Sequence, residues 1–479
     1  MKSQIRWLLA QIEIWVAEGI IQPAQAEVLR RRYAAAAEEP AKPGVPWAII
    51  LFAGFGAVVI GLGVILLFAY NWEKMHRFVK LGLVFGALAA AHGAGLVLRR
   101  RENLRGFSDA LHLLGTMLFG AGIWLVAQVY HISAHYPNAF FVWAAGALLL
   151  AWALPSVPQG LVAAILIPVW ACSEAFGFEN HQLLAPLFIL VGTGWLAWRL
   201  RSPVLLLASV VSFTVATLAT AFDGTHVFLL LVSTALLLAG LGRLTRDHAD
   251  FPASGAIFHF TGRVLYYPLL FITTWMDALR HGLLRHSYHS FSLWADGSVV
   301  DLAPAVIVPL VAVAVMAAAL VRGVQRGEER SFVFLNRLAV PASVFFLYIA
   351  GWFALSIGPA ADKFEDALCL AMAIGASAAF LFHALGYMRK GCVETSLVHA
   401  VAGSILFGTW VLGRYRDLFG SLLSRGIAFI VMGVALFAVA VLYHRNRKRR
   451  LDAAAAGASP PATAPAAPVP NASSQREEG

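Results

Sequence analysis

Runs of about twenty apolar residues, separated by short polar connections, recur from residue 47 to residue 443. A bilayer core about 30 Å thick takes about 20 helical residues to cross, so each run predicts a transmembrane helix. The runs lie near 47–69, 79–98, 107–129, 139–154, 158–176, 182–198, 203–221, 226–242, 258–278, 302–321, 335–357, 366–387, 396–412 and 424–443, about fourteen spans in all. Those at 139–154, 182–198 and 226–242 are short, so tilt, re-entrance or merging changes the number by about one or two. Pro168, Pro186, Pro268, Pro309 and Pro341 fall inside runs. Each removes a backbone donor, which neighbouring helices in a bundle can offset.

Ahead of these runs the pattern is amphipathic. Leu8, Ile12 and Trp15 form one stripe at helical spacing, and Val28, Leu29 and Tyr33 offer a second. Gly19 stops the first helix and Pro23 suits the first turn of the next. Residues 3–36 thus read as a helical hairpin, and Glu38–Pro46 as a linker. So small a hairpin needs a surface to dock on: the membrane domain, a partner or a second copy. Arg30, Arg31 and Arg32 are either a positive-inside flank or a contact to anionic headgroups. After Arg450 the chain turns to Ala, Pro and Ser, which cannot bury a core and reads as disordered. The fold class is all-α: a polytopic transmembrane helix bundle with a small N-terminal cytosolic hairpin. Its parts are 1–46 (hairpin and linker), 47–443 (transmembrane domain) and 444–479 (basic flank and tail).

Composition agrees with this class. Only 13% of residues are charged and 59% are hydrophobic, whereas soluble domains carry roughly 25% charged residues. The net charge of +10 is not a nucleic-acid signal, because the basic residues sit between apolar runs and at the termini, where they set topology. An even number of spans places both termini on one side. The finish Arg445, Arg447, Lys448, Arg449 and Arg450 makes that side cytoplasmic, and loops assigned there carry more Lys and Arg than the others. No apolar segment precedes residue 47, so the first span is expected to be an uncleaved insertion signal. Cys172, Cys369 and Cys392 are far apart and expected to be free thiols.

Candidate chemistry is sparse. Asp109, Glu174, Asp277, Glu365 and Asp366 lie near span ends, where water reaches them; this weakens a proton- or sodium-coupled pump. His92, His112, His259, His383 and His399 lie in or near apolar runs. A lone intramembrane histidine ordinarily bonds a neighbouring helix, and the sharper alternative is proton relay or ligand contact, with His112 the candidate. Arg263, near the start of its run, either snorkels to the interface or contacts an anionic ligand. His286 and His289 have chelating spacing but no acidic or thiol partner, so no metal and no cofactor is expected.

The densest polar stretch is Gly115–Tyr136. Ser108, Gly115 and Gly122 recur every seven residues as a packing seam, with His112, Thr116 and Gly120 beside it. Gln128 stands about 160° around the helix from His112. Gln128, Tyr130, His131 and Tyr136 form a polar, aromatic cup at the outer membrane face, as a substrate or headgroup site or as an aromatic belt. Gly115–Gly120 echoes Gly403–Gly408, each following a histidine and preceding a tryptophan, which raises an internal repeat. No Walker loop, GxSxG, HExxH or dinucleotide fingerprint stands in a usable context, so no catalytic residue is assigned.

Three segments resemble an uncharacterised family of bacterial multi-pass membrane proteins, a domain-of-unknown-function family. They are Trp15–Tyr33 with its Gly19-Ile20-Ile21 turn; Asn71-Trp72-Glu73 with Phe119–Gln128, Tyr130-His131-Ile132-Ser133 and Trp143; and Tyr415–Tyr443 with Asp417-Leu418-Phe419 and Arg425-Gly426. The resemblance implies a hairpin followed by a polytopic bundle in the bacterial inner membrane, and no reaction. The chain lacks the GDY motif of related families. Its expected role is non-enzymatic: a transporter- or flippase-like protein that binds an amphipathic, lipid-like solute, or a scaffold. Membrane lipids are its expected partners, with a protein partner or a second copy at residues 1–46. The alternative is an intramembrane enzyme acting on lipid-linked substrates, with His131 or the His281–His289 loop as base.

Overall fold

A computed structural model describes residues 8, 11–13, 15–38, 75–101, 104–132, 135–180, 182–220, 227–275, 279, 299–328, 330–357, 362–414 and 422–457. The run at 47–69, the Asn71-Trp72-Glu73 segment, the His281–His289 loop, Asp277 and the tail beyond 457 lie outside these residues. Two units emerge, Met1–Gly82 and Leu83–Gly479.

In the first unit, helical residues at 11–13 and 15–17 lead to a turn at Gly19, whose φ of 73° suits glycine. The amides of Ile20 and Ile21 close back on the Trp15 carbonyl. Helix α1 (Pro23–Glu38) begins on the proline. Ile12 and Ala26 are the buried apolar residues of this hairpin, and Arg30 reaches Glu13 at 3.6 Å.

The second unit is helical throughout its described residues. The helices are α2 (Arg77–Arg99), which begins in the first unit, α3 (Arg105–Val129), α4 (Pro137–Ala153), α5 (Val157–Phe178), α6 (Leu184–Leu200), α7 (Pro203–Ala219), α8 (Val227–Leu244), α9 (Ala253–Ile272), α10 (Val299–Gln325), α11 (332–357), α12 (Asp362–Glu394), α13 (Leu397–Gly413) and α14 (Leu422–Gly457). Each apolar run marked in the sequence, 47–69 apart, is occupied by one of them. Among the described residues eight helices are long and apolar enough to cross a bilayer, and α4, α6, α7 and α13 are shorter apolar ones.

Local chemistry sets the boundaries. Arg201 takes a left-handed φ of 51° to end α6; Ser202 accepts the Leu205 amide at 3.3 Å and Pro203 opens α7. Two helices carry a π-turn that the apolar pattern does not announce, at Ile189–Gly194 and Leu335–Ala339. The Gly192 carbonyl, inside the first, accepts Trp152 Nε1 at 3.1 Å.

Small residues dominate the contacts among α4, α5 and α6: Ala144, Ala147, Ala163, Ala171, Ala175 and Ala185 are all buried. Lipid tails are as apolar as leucine, so burial gives helices little reason to associate; small residues let backbones approach and add dispersion contact. The predicted seam on α3 behaves this way. Ser108, Gly115 and Gly122 are buried, Ser108 Oγ donates to the Gly95 carbonyl at 2.8 Å, and a Cβ on Gly115 would meet the His92 ring at 2.5 Å. A larger cluster joins α8 to α12 through Leu236, Leu270, Met316, Leu338, Phe345 and Phe380. The cysteines are free.

Ionic contacts gather where α8 meets α10. Arg243, only 4% exposed, pairs with Glu328 at 2.7 Å and Asp247 at 3.5 Å, and Arg326 also pairs with Asp247. At the same end α14 runs past its neighbours. Asn446 donates to the Cys392 carbonyl at 2.9 Å and Arg450 to the Val393 carbonyl at 2.7 Å, satisfying the last turn of α12.

Candidate anion site between α8, α9, α11 and α12

The second π-turn has a local cause. Pro341 lacks an amide hydrogen and its ring crowds the carbonyl four residues back, that of Arg337. The ladder slips to wider spacing over Leu335–Ala339, just N-terminal to the proline. π-Turns recur at functional positions because they re-aim side chains. Here both Asn336 and Arg337 line one internal cavity of about 40 Å³, with Arg263, His259, Tyr266 and Tyr267 of α9 and aliphatic residues of α8. A site for one water takes roughly 10–15 Å³, so the cavity has room for a few water-sized atoms, about the size of one phosphate or carboxylate group.

The polar groups are held from behind by α12. His383, fully buried, accepts or donates through both ring nitrogens: Nδ1 is 2.9 Å from Asn336 Nδ2 and Nε2 is 3.0 Å from the Tyr266 hydroxyl. With Asn336 donating, Nδ1 accepts and Nε2 carries the proton toward Tyr266. The Tyr266 hydrogen is then free to donate elsewhere. Tyr267 donates to the Tyr387 hydroxyl at 3.5 Å. Arg263 Nε donates to the His259 carbonyl one turn back, at 3.0 Å, which directs its guanidinium along the helix.

Two arginines therefore stand among the residues around one cavity, whose walls are mostly apolar and include no carboxylate among the described residues. Neither Arg263 nor Arg337 is ion-paired among the described residues. Arg243, an equally inward arginine, has two carboxylates. Sequence alone put Arg263 near the start of its span. The helix bounds correct that placement. Helix α9 starts at Ala253, so Arg263 lies about 15 Å along it, near its middle. Ser331 caps α11, accepting the Val333 amide at 3.2 Å, so Arg337 is more than a turn inside. That cap, with Asn336-Arg337 ahead of Pro341, was the signal in the sequence.

The other predicted residues separate. Gln128, Tyr130, His131 and Tyr136 are all exposed, and no side-chain hydrogen bond joins them among the described residues. His131 has a φ of 50° and ends α3: its amide meets the Gln128 carbonyl and the Ile132 amide the Ala127 carbonyl. Tyr136 lines an apolar groove of about 430 Å³ with His135, Phe119 and Trp124, whereas Gln128, Tyr130 and His131 do not. His112 is buried and lies 3.0 Å, Nδ1 to Nδ1, from His92 on α2, the neighbour-helix bond that lone histidines ordinarily make. Thr116 beside it donates to Gln159 at 2.8 Å.

Glu174 departs from its expected watery end. It is 1% exposed and gathers His135 Nε2 at 2.8 Å, Asn180 Nδ2 at 3.0 Å and Trp170 Nε1 at 3.3 Å. Asn180 lies beyond the end of α5, and the left-handed Glu179 (φ 52°) turns it back. Among the described residues no group of three or more His, Cys, Asp and Glu is placed to hold a metal.

No curated protein and no solved structure matches the chain. A family model described as "Predicted membrane protein (DUF2157)" matches residues 13–160, which include the first two resembling segments and not the third. Helices α2 to α14 and that match together make the chain a polytopic membrane protein with a domain of unknown function over its first third.

Proposed function

We propose that the protein binds an anionic amphiphile in transporter- or flippase-like fashion, taking one phosphate or carboxylate of its head between Arg263 and Arg337. The supporting observation is that pair: two arginines beside one cavity with no carboxylate among its described lining residues. Two like charges in a low-dielectric site raise each other's energy, and an anion between them lowers both. Arginine suits the task because its planar fork bonds phosphate and carboxylate bidentately. The Tyr266 hydroxyl, set by His383 and Asn336, adds a neutral donor. In this reading the chain sits in the bacterial inner membrane with both termini in the cytoplasm, so the site opens toward the inner half of the bilayer. Residues 1–46 serve as a cytoplasmic contact for a partner or a second copy.

Thermal melting of the purified full chain in neutral detergent tests this. Added phosphatidylglycerol should raise the melting temperature, phosphatidylcholine should not, and R263Q/R337Q should abolish the difference. Equal shifts with both lipids, or a shift that survives the double substitution, would sink the proposal.

A second reading, an intramembrane enzyme acting on lipid-linked substrates, draws on His135. Its ring borders the apolar groove while a buried carboxylate orients it, the arrangement of a general base. It takes the place of His131 as the candidate base. H135Q should then stop turnover of a lipid-linked substrate while leaving the melting temperature near native; unchanged turnover removes this reading.

A further inference from the structure

A second, larger concavity of about 580 Å³ lies between the start of α11 and the end of α12. Its walls are apolar, with Phe332, Val333, Phe382 and Leu385, and its rim carries Arg330, Arg389 and Lys390. Lys390 is engaged by Glu394 at 3.8 Å. Arg330 and Arg389 are exposed and have no ion-pair partner among the described residues. An apolar trough with a basic mouth at a helix end is complementary to one acyl chain and one anionic head.

A series of aromatic contacts runs from this groove toward the arginine cavity. The Phe332 ring rests on Gly386, where a Cβ would meet it at 2.0 Å. Its centroid is 5.9 Å from both Phe382 and Tyr387. Tyr387 faces inward and shares a hydrogen bond with Tyr267, which lines the cavity. The order from surface to interior is therefore Arg330 and Arg389, then Phe332 on Gly386, then Tyr387, then Arg337 and Arg263. Only glycine leaves room for the ring at that point, and the ring is held by van der Waals contact alone, so it can swing without breaking a hydrogen bond.

We infer that an anionic phospholipid of the cytoplasmic leaflet reaches the Arg263/Arg337 cavity sideways through this groove, with Arg330 and Arg389 collecting its head and Phe332 acting as the gate. The inference rests on the anion-binding reading of that cavity. It commits to a bilayer lipid because the groove pairs a mainly apolar lining with Arg330, Arg389 and Lys390, against the single acid Glu394, which Lys390 engages.

The full chain in neutral detergent is mixed with dioctanoyl phosphatidylglycerol, and the bound fraction is followed in time by native mass spectrometry. R330Q/R389Q should slow loading on the order of tenfold, since a basic residue near the surface is worth about 1 kcal/mol of attraction to an anionic head, and leave release unchanged. F332A should speed loading and release together and leave final occupancy near native. R263Q/R337Q should lose occupancy. A native loading rate in R330Q/R389Q, with occupancy still lost in R263Q/R337Q, would overturn lateral access and leave the cavity reading standing. Undiminished occupancy in R263Q/R337Q would overturn the cavity reading itself. R330Q/R389Q alters only exposed side chains, so its rate decides the matter even where F332A fails to fold.

Discussion

His135 Nε2 lies 2.8 Å from Glu174 Oε2, and of the two side chains the carboxylate is the one shut away, 2% exposed against 35%. Three donors from three segments converge on Glu174, so it fastens the connection before α4 and the stretch after α5 to α5 itself. E174A should lower stability by about 1–3 kcal/mol, because it leaves buried donors without an acceptor. H135A should cost less, since Asn180 and Trp170 still serve the carboxylate. Chemical unfolding in detergent measures both; equal losses would mean that the histidine carries the contact.

His131 illustrates how a polar residue at a helix end reads as chemistry and acts as backbone. Its left-handed φ disfavours a side chain and suits glycine. H131G should keep the fold and raise stability by a few tenths to about 1 kcal/mol. A fall in melting temperature would show that the imidazole itself makes a needed contact.

The echo between Gly115–Gly120 and Gly403–Gly408 is half structural. Gly115 and Gly403 are both close-approach sites, against His92 and against the Met388 backbone. Gly120 takes the Trp143 ring within 2.3 Å of where its Cβ would be, whereas Gly408 has nothing within 4 Å. G120A should destabilise by about 1–3 kcal/mol through overpacking. G408A should be neutral or gain up to about 1 kcal/mol from helix propensity. Parallel melts of the two variants check this, and equal effects would favour a true duplication of packing.

The helices were legible because each carries its own signal, an apolar run, in eight of them long enough to span. Small-residue seams were legible too, since spacing on one helix predicts one face. What was hidden depends on two helices at once or on the backbone ladder. The start of α9 at Ala253, more than a turn ahead of its most apolar stretch, concealed that Arg263 lies near the middle of the helix. The slip before Pro341 concealed that Arg337 faces inward. Glu174 looked terminal because its distance along α5 says nothing about Asn180 folding back over it. His383 meets its partners on α9 and α11, which no spacing within α12 foretells.

Outside the spans, Asp247 carries a pH signature. A hydrogen bond from Arg326 holds its carboxyl below the usual value; burial opposes this slightly, and the charges of Arg326, Arg243 and Arg246 reinforce it. A depressed folded value means that its stabilising share is complete above the ordinary aspartate value of about 4 and drains away as pH falls through the folded one. The native chain should therefore lose melting temperature more steeply between about pH 5 and about pH 3 than D247N does. The difference should be small, because the side chain is 52% exposed and solvent screens it. Parallel slopes would mean that the Arg326 contact does not persist in solution.

At 36 residues, α14 is about 54 Å long, far more than a bilayer core of about 30 Å demands. Its surplus turns are where Asn446 and Arg450 grip the last carbonyls of α12, beside Val393 and Glu394 on the groove wall. Helix α14 is thus a strut bolted to the doorframe. Force, modification or a bound protein acting on the C-terminal tail bears first on the width of that opening, without any change to the cavity within.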